Sequence, residues 1–151
     1  MKKEVKLYNV LFPLWILLAV PPYCLIVIFG NFLIDSLVLI LAMLALKIES
    51  KKQWYKRYIW KIYIFGMLAD IIGSAYMLWM ALGWNIGGPW YDSPVITVPA
   101  LLIAGALIFL ANYFITFRKI EFPLRWKMAL IFATVTAPYT FLTPSGWLYG
   151  W

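Results

Sequence analysis

Residues 24–46 read CLIVIFGNFLIDSLVLILAMLAL, a stretch with one carboxylate (Asp35), one amide (Asn31) and no basic residue. A helix that crosses a bilayer needs about 20 mostly apolar residues (range ~17–25), so this stretch predicts a membrane span. Working outward, residues 62–82 and 95–117 meet the same criterion. Two shorter apolar stretches, 7–20 and 128–143, each run up to a proline, Pro21 and Pro144. The apolar run from Leu7 to Leu46 is too long for one crossing, so a hairpin must lie inside it. Proline lacks an N–H and restricts the residue before it, which favours Val20-Pro21-Pro22 as the end of the first helix. Gly30-Asn31 is the competing turn.

Composition points the same way. The chain of 151 residues is 65% hydrophobic and 13% charged, whereas a soluble domain is about half apolar and about a quarter charged. A formal net charge of +7 on such a chain does not describe a nucleic-acid-binding domain, whose basic face sits on a water-soluble body. Disorder requires low hydrophobicity, and a single cysteine cannot build a disulfide scaffold. The expected fold is an all-α integral membrane protein, one polytopic domain over residues 1–151, with helices at 7–20, 24–46, 62–82, 95–117 and 128–143. Lys2, Lys3 and Lys6 ahead of a short apolar stretch resemble a signal peptide, but Ala19-Val20-Pro21-Pro22 supplies no small-x-small cleavage site. The segment therefore reads as an uncleaved first helix.

Charge sets the expected orientation. With the N-terminus inside, the inner segments carry Lys2 to Lys6, Lys47 to Lys61, and Arg118 to Lys127, which account for all 13 Lys and Arg. The outer segments, around Pro21-Pro22, Trp84 to Ser93 and after Pro144, carry none. Positive loops stay cytoplasmic, so five spans, N-in and C-out, are expected. Trp54, Trp60 and Trp126 fall at the inner interface of this arrangement. Trp79, Trp84, Trp90, Trp147 and Trp151 fall at or near the outer one, where indole rings favour the headgroup level. The basic segment from Lys51 to Tyr58 reads as a positive-inside loop, with an interfacial lipid-binding helix as the alternative.

The residues that demand a function are the polar ones inside the spans. An ionisable group at the bilayer centre costs roughly 2.5–3.5 kcal/mol on insertion scales. Asp35 lies midway along its span and Asp70 near the middle of the next, so the two could meet on adjacent antiparallel helices. No Lys or Arg lies within any span, and the chain has no histidine. The carboxyls must then be protonated, share a proton, bind a cation, or pair with a basic residue of another subunit. Asn31 and Asp35 share a helix face at i, i+4, as do Asp70 and Ser74. Gly66, Asp70, Gly73 and Ser74 form a small, polar stripe, and Gly105 shares a face with Asn112. Small residues let membrane helices approach, and polar ones hydrogen-bond across, which marks Gly66, Gly73 and Gly105 as helix-packing positions. A site of Asp35 and Asp70 with Asn31, Ser74 and Asn112 as neutral ligands is expected.

Other chemistry lacks its residues. Without histidine there is no Ser–His–Asp arrangement, and no His–Cys–carboxylate cluster for zinc. No phosphate-cradling glycine motif occurs, Gly87-Gly88-Pro89 being an outer turn. Neither an enzyme, a cofactor nor a structural metal is expected. The expected function is a small transport or ion- or proton-coupled module, multi-pass in a cell membrane of bacterial plasma-membrane type. Its expected partners are the lipid bilayer and further membrane subunits or copies of itself, with no nucleic acid. The alternative is a non-transporting subunit or assembly factor whose buried Asp pairs with a basic residue of a partner helix.

Overall fold

Directly after the double proline, Tyr23 begins a helix that runs without interruption through Gly30 and Asn31 to Ala45 (α1, Tyr23–Ala45). The competing turn at Gly30-Asn31 is therefore absent. The computed structural model describes residues 23–83 and 93–142. The expected first span at 7–20, the turn at Pro21-Pro22 and the aromatic tail lie outside the described residues.

α1 ends in a motif built from backbone hydrogen bonds. Ile48 N–H donates to the Met43 carbonyl at 2.9 Å and Lys47 N–H to the Leu44 carbonyl at 3.2 Å, with Lys47 at φ 52°. This is the Schellman pattern, which usually places glycine at the left-handed position. Here Lys47 occupies that position, while Ile48, buried, supplies the apolar contact that accompanies the motif. The chain reverses over five residues and α2 (Lys51–Gly83) returns alongside α1.

α2 is longer than the span expected at 62–82. Its 33 residues extend about 50 Å at 1.5 Å per residue, against a hydrocarbon core of about 30 Å. The three extra turns are the basic segment beginning at Lys51, so this segment is helix continuous with the span, not a loop. Lysine, arginine and glutamine are good helix formers, and no Gly or Pro interrupts the segment before Gly66.

α3 (Pro94–Ala111) opens on Ser93, whose side chain accepts from Val95 N–H, with Pro94 in the first turn. Proline there removes a donor that has no intrahelical acceptor. The helix passes through Pro99 and continues as a π turn over Asn112–Thr116. Phe117 N–H closes that turn on the Asn112 carbonyl at 2.8 Å. An i to i+5 bond stacks Phe117 over Asn112, and Asn112, Thr116 and Phe117 are all buried. Phe117 thereby sits between Tyr58 of α2 (ring centroids 5.4 Å) and Phe132 (6.1 Å).

Phe132 belongs to α4 (Leu124–Val135), where the structure departs from the continuous helix expected over 128–143. The 12 residues of α4 extend about 18 Å. Thr136 ends the helix by returning both its N–H and its hydroxyl to the Phe132 carbonyl, at 3.0 and 2.8 Å. Pro138 follows, and a residue before proline is pushed out of helical geometry. A single 3₁₀ turn, Tyr139–Leu142, completes the described chain.

All regular elements of the described residues are helical, and α1, α2 and α3 (extended by its π turn) are long and apolar enough to cross a membrane. α2 lies between α1 and α3, and α4 packs on α3. Their surfaces reverse the order of a water-soluble domain. Leu25, Ile26, Phe29, Leu33 and Leu102 are exposed, whereas Asp35, Ser36, Thr97, Asn112 and Thr116 are buried. In water such apolar exposure would drive association. In lipid it is neutral, because acyl chains are as apolar as leucine.

Candidate functional site

The α1–α2 interface carries two polar rungs. On the first, Asn31 Nδ2 donates to Asp70 Oδ2 at 2.9 Å. On the second, Gly66 faces Asp35, whose Oδ2 would stand 3.4 Å from a Cβ at position 66. Asn31 and Asp35 are four residues apart on α1, and Gly66 and Asp70 are four apart on α2. In antiparallel helices that spacing aligns the pairs, one turn or about 6 Å along the axis from each other. The absence of a side chain at Gly66 leaves room for the Asp35 carboxylate.

Both carboxylates open on one cavity of about 370 Å³, lined by Asn31, Asp35, Gly66 and Asp70 on one side and by residues 135–141 on the other. Asp35 is 5% exposed and makes no hydrogen bond with another described residue. Oδ1 of Asp70 is buried and likewise without a partner among the described residues. Among the described residues no Lys or Arg lines the cavity. An anionic group buried without a countercharge is expensive. Among the described residues no group of three or more His, Cys, Asp or Glu is arranged to hold a metal ion.

The other two expected ligands stand elsewhere. Ser74, one turn beyond Asp70 on α2, does not line the cavity, and its buried hydroxyl has no partner among the described residues. Asn112 is fully buried at the opposite end of α3, in the π turn, and neither amide atom has a hydrogen-bond partner among the described residues. Gly73 and Gly105 both lie at close approaches. A Cβ at 73 would meet Phe141 and the Ala100 carbonyl, and one at 105 would lie 3.6 Å from the Ala133 carbonyl.

The wall formed by residues 135–141 was not visible as part of a site in the sequence, because a continuous helix over 128–143 would carry those residues past it. The signal that marks it is Thr136-Ala137-Pro138, which ends α4 and turns the chain so that Phe141 reaches Gly73 of α2. Tyr139 anchors the turn by donating its hydroxyl to the Thr134 carbonyl.

Comparison with protein-family models, with curated proteins and with solved structures gives no match for this chain.

Proposed function

We propose that the protein is a small membrane transport module in which Asp35 and Asp70 take up a proton or cation during the transport cycle. The observation that supports this reading is the shared cavity: a buried carboxylate (Asp35) and a half-buried one (Asp70) one helical turn apart, with Asn31 on the second and no basic residue in the lining among the described residues. Interhelical hydrogen bonds in membranes contribute only about 0.6 kcal/mol on average. That is small against an insertion cost of roughly 2.5–3.5 kcal/mol for each carboxyl, so adhesion between helices is a weak reason to keep two of them.

The proposal includes five spans, N-in and C-out, in a bacterial-type plasma membrane, with further copies or subunits beside it. The distribution of Lys and Arg supports the orientation. α4 with its 3₁₀ extension would be the fifth span. The competing reading, a subunit or assembly factor, rests on the same missing countercharge, supplied there by a basic residue of a partner helix.

Purified protein in proteoliposomes containing a pH-sensitive dye separates the two. Transport predicts flux driven by an imposed pH gradient, abolished by Asp70→Asn with the helical content and elution volume of the wild type. A wild type inert across a broad panel of ions and substrates, together with an Asp70→Asn variant that no longer co-purifies with another membrane protein, would establish the subunit reading.

A further inference from the structure

The basic end of the bundle holds a second pocket, of about 300 Å³, which shares no lining residue with the carboxylate cavity. Arg57 and Lys61 stand one turn apart on α2, and Arg118 and Lys119 follow the π turn directly. Among the described residues no Asp or Glu lines it. Four cations around one space repel one another unless an anion enters it.

Thr116 adds a donor at the same place. It lines the pocket, its side chain is 3% exposed, and its Oγ1 has no hydrogen-bond partner among the described residues. A helical threonine ordinarily bonds a carbonyl three or four residues back, as Thr134 and Thr136 do at 2.8 Å. In the π turn the carbonyl four residues before Thr116, that of Asn112, instead receives Phe117 N–H. The Thr116 hydroxyl is thus left, buried, without an acceptor at the edge of the pocket.

The remaining wall is apolar. Phe114 and Ile115 are 58% and 53% exposed, on the helix that crosses the membrane. Trp60 and Trp126 are exposed at this end too, and indole rings settle at headgroup depth. A ligand that fits has an anionic head for the cations and an apolar body for the wall. We infer that this pocket binds the phosphate of an anionic membrane lipid, held by Arg57, Lys61, Arg118, Lys119 and the Thr116 hydroxyl, with its acyl chains along Phe114 and Ile115.

The full-length protein in mild detergent, titrated with phosphatidylglycerol, phosphatidic acid and phosphatidylcholine, tests this by native mass spectrometry, with inorganic phosphate as competitor. One saturable site is expected for the two anionic lipids, about tenfold or more tighter than for phosphatidylcholine, and not displaced by inorganic phosphate at matched concentration. Lys61→Gln with Arg118→Gln should weaken it about 30-fold, each cation near an anionic surface contributing roughly fivefold. Lys52→Gln with Lys127→Gln removes two cations that do not line the pocket and should leave it within about twofold. Equal losses in the two double variants would overturn the site in favour of diffuse attraction. Equal retention of phosphatidylcholine would overturn headgroup selection, and displacement by inorganic phosphate would make it a soluble-anion site. Should the first double variant fail to fold, Thr116→Val and the headgroup ranking of the wild type decide the question, Thr116→Val being expected to weaken binding about fivefold.

Discussion

Gly73→Ala sets helix propensity against packing, and the structure says which wins. A Cβ at position 73 would stand 2.6 Å from Phe141 Cε2, 3.1 Å from its Cζ and 3.4 Å from the Ala100 carbonyl oxygen. Carbon atoms are best separated by about 3.5–4.0 Å, so the ring has to retreat by about 1 Å. Phe141 is 5% exposed and held on a 3₁₀ turn, and the open space beside it is the carboxylate cavity that it lines. Overpacking of this kind costs about 1–3 kcal/mol, and alanine returns about 0.5–1 kcal/mol in a helix interior. The variant should therefore be destabilised by about 0–2.5 kcal/mol. Thermal unfolding in detergent of wild type, Gly73→Ala, Phe141→Leu and the double variant measures this. Leucine lacks the ring atoms that clash, so Gly73→Ala should be nearly neutral or stabilising in the Phe141→Leu background, a coupling of about 1 kcal/mol. Because Phe141 also lines the carboxylate cavity, the single variant should slow pH-driven flux as well. A Gly73→Ala protein more stable than wild type, or a strictly additive double variant, would refute the close approach.

Asn31→Leu removes the amide bonded to Asp70. It should cost about 0.6–1.7 kcal/mol and slow flux in the proteoliposome assay without the complete loss expected of Asp70→Asn. Ser36 Oγ and Tyr55 OH lie 2.9 Å apart across α1 and α2. Ser36→Ala and Tyr55→Phe should each cost about 0.6 kcal/mol, and together no more than either alone, by melting temperature. Phe117→Ala empties a fully buried site between Tyr58 and Phe132 and should destabilise by about 3–5 kcal/mol in the same unfolding assay.

How much was legible varies by segment, for physical reasons. The helices at 24–46, 62–82 and 95–117 were readable because lipid imposes one local requirement, an unbroken apolar run in which every backbone polar group bonds within its own helix. α1 and the α3–π unit match their expected limits to within one residue. α2 begins 11 residues before the expected span because apolarity marks where a helix meets lipid, not where it starts. The basic residues from Lys51 to Lys61 continue the helix while placing their charges beyond the hydrocarbon. The break after Val135 was readable in principle from Thr136 and Pro138, yet the apolar residues around them masked it.

The candidate site divides the same way. That Asp35 and Asp70 lack a basic partner within any span follows from composition alone, because a residue type that is missing from a segment is missing in every conformation of it. So does their sharing of helix faces with Asn31 and Gly66, since i, i+4 spacing is a property of the α-helix. Which rungs align, Asn31 with Asp70 and Asp35 with Gly66, was decided by the register of two antiparallel helices. That register depends on the five-residue turn after Ala45 and on close packing along the whole interface. Tertiary structure likewise separated Ser74 and Asn112 from the carboxylate cavity and brought residues 135–141 to it. It also gathered Arg57, Lys61, Arg118 and Lys119 around one pocket, although two stretches of chain about 60 residues apart supply them. Local spacing is written into a helix one residue at a time, whereas the meeting of distant segments is settled only when all their contacts form together.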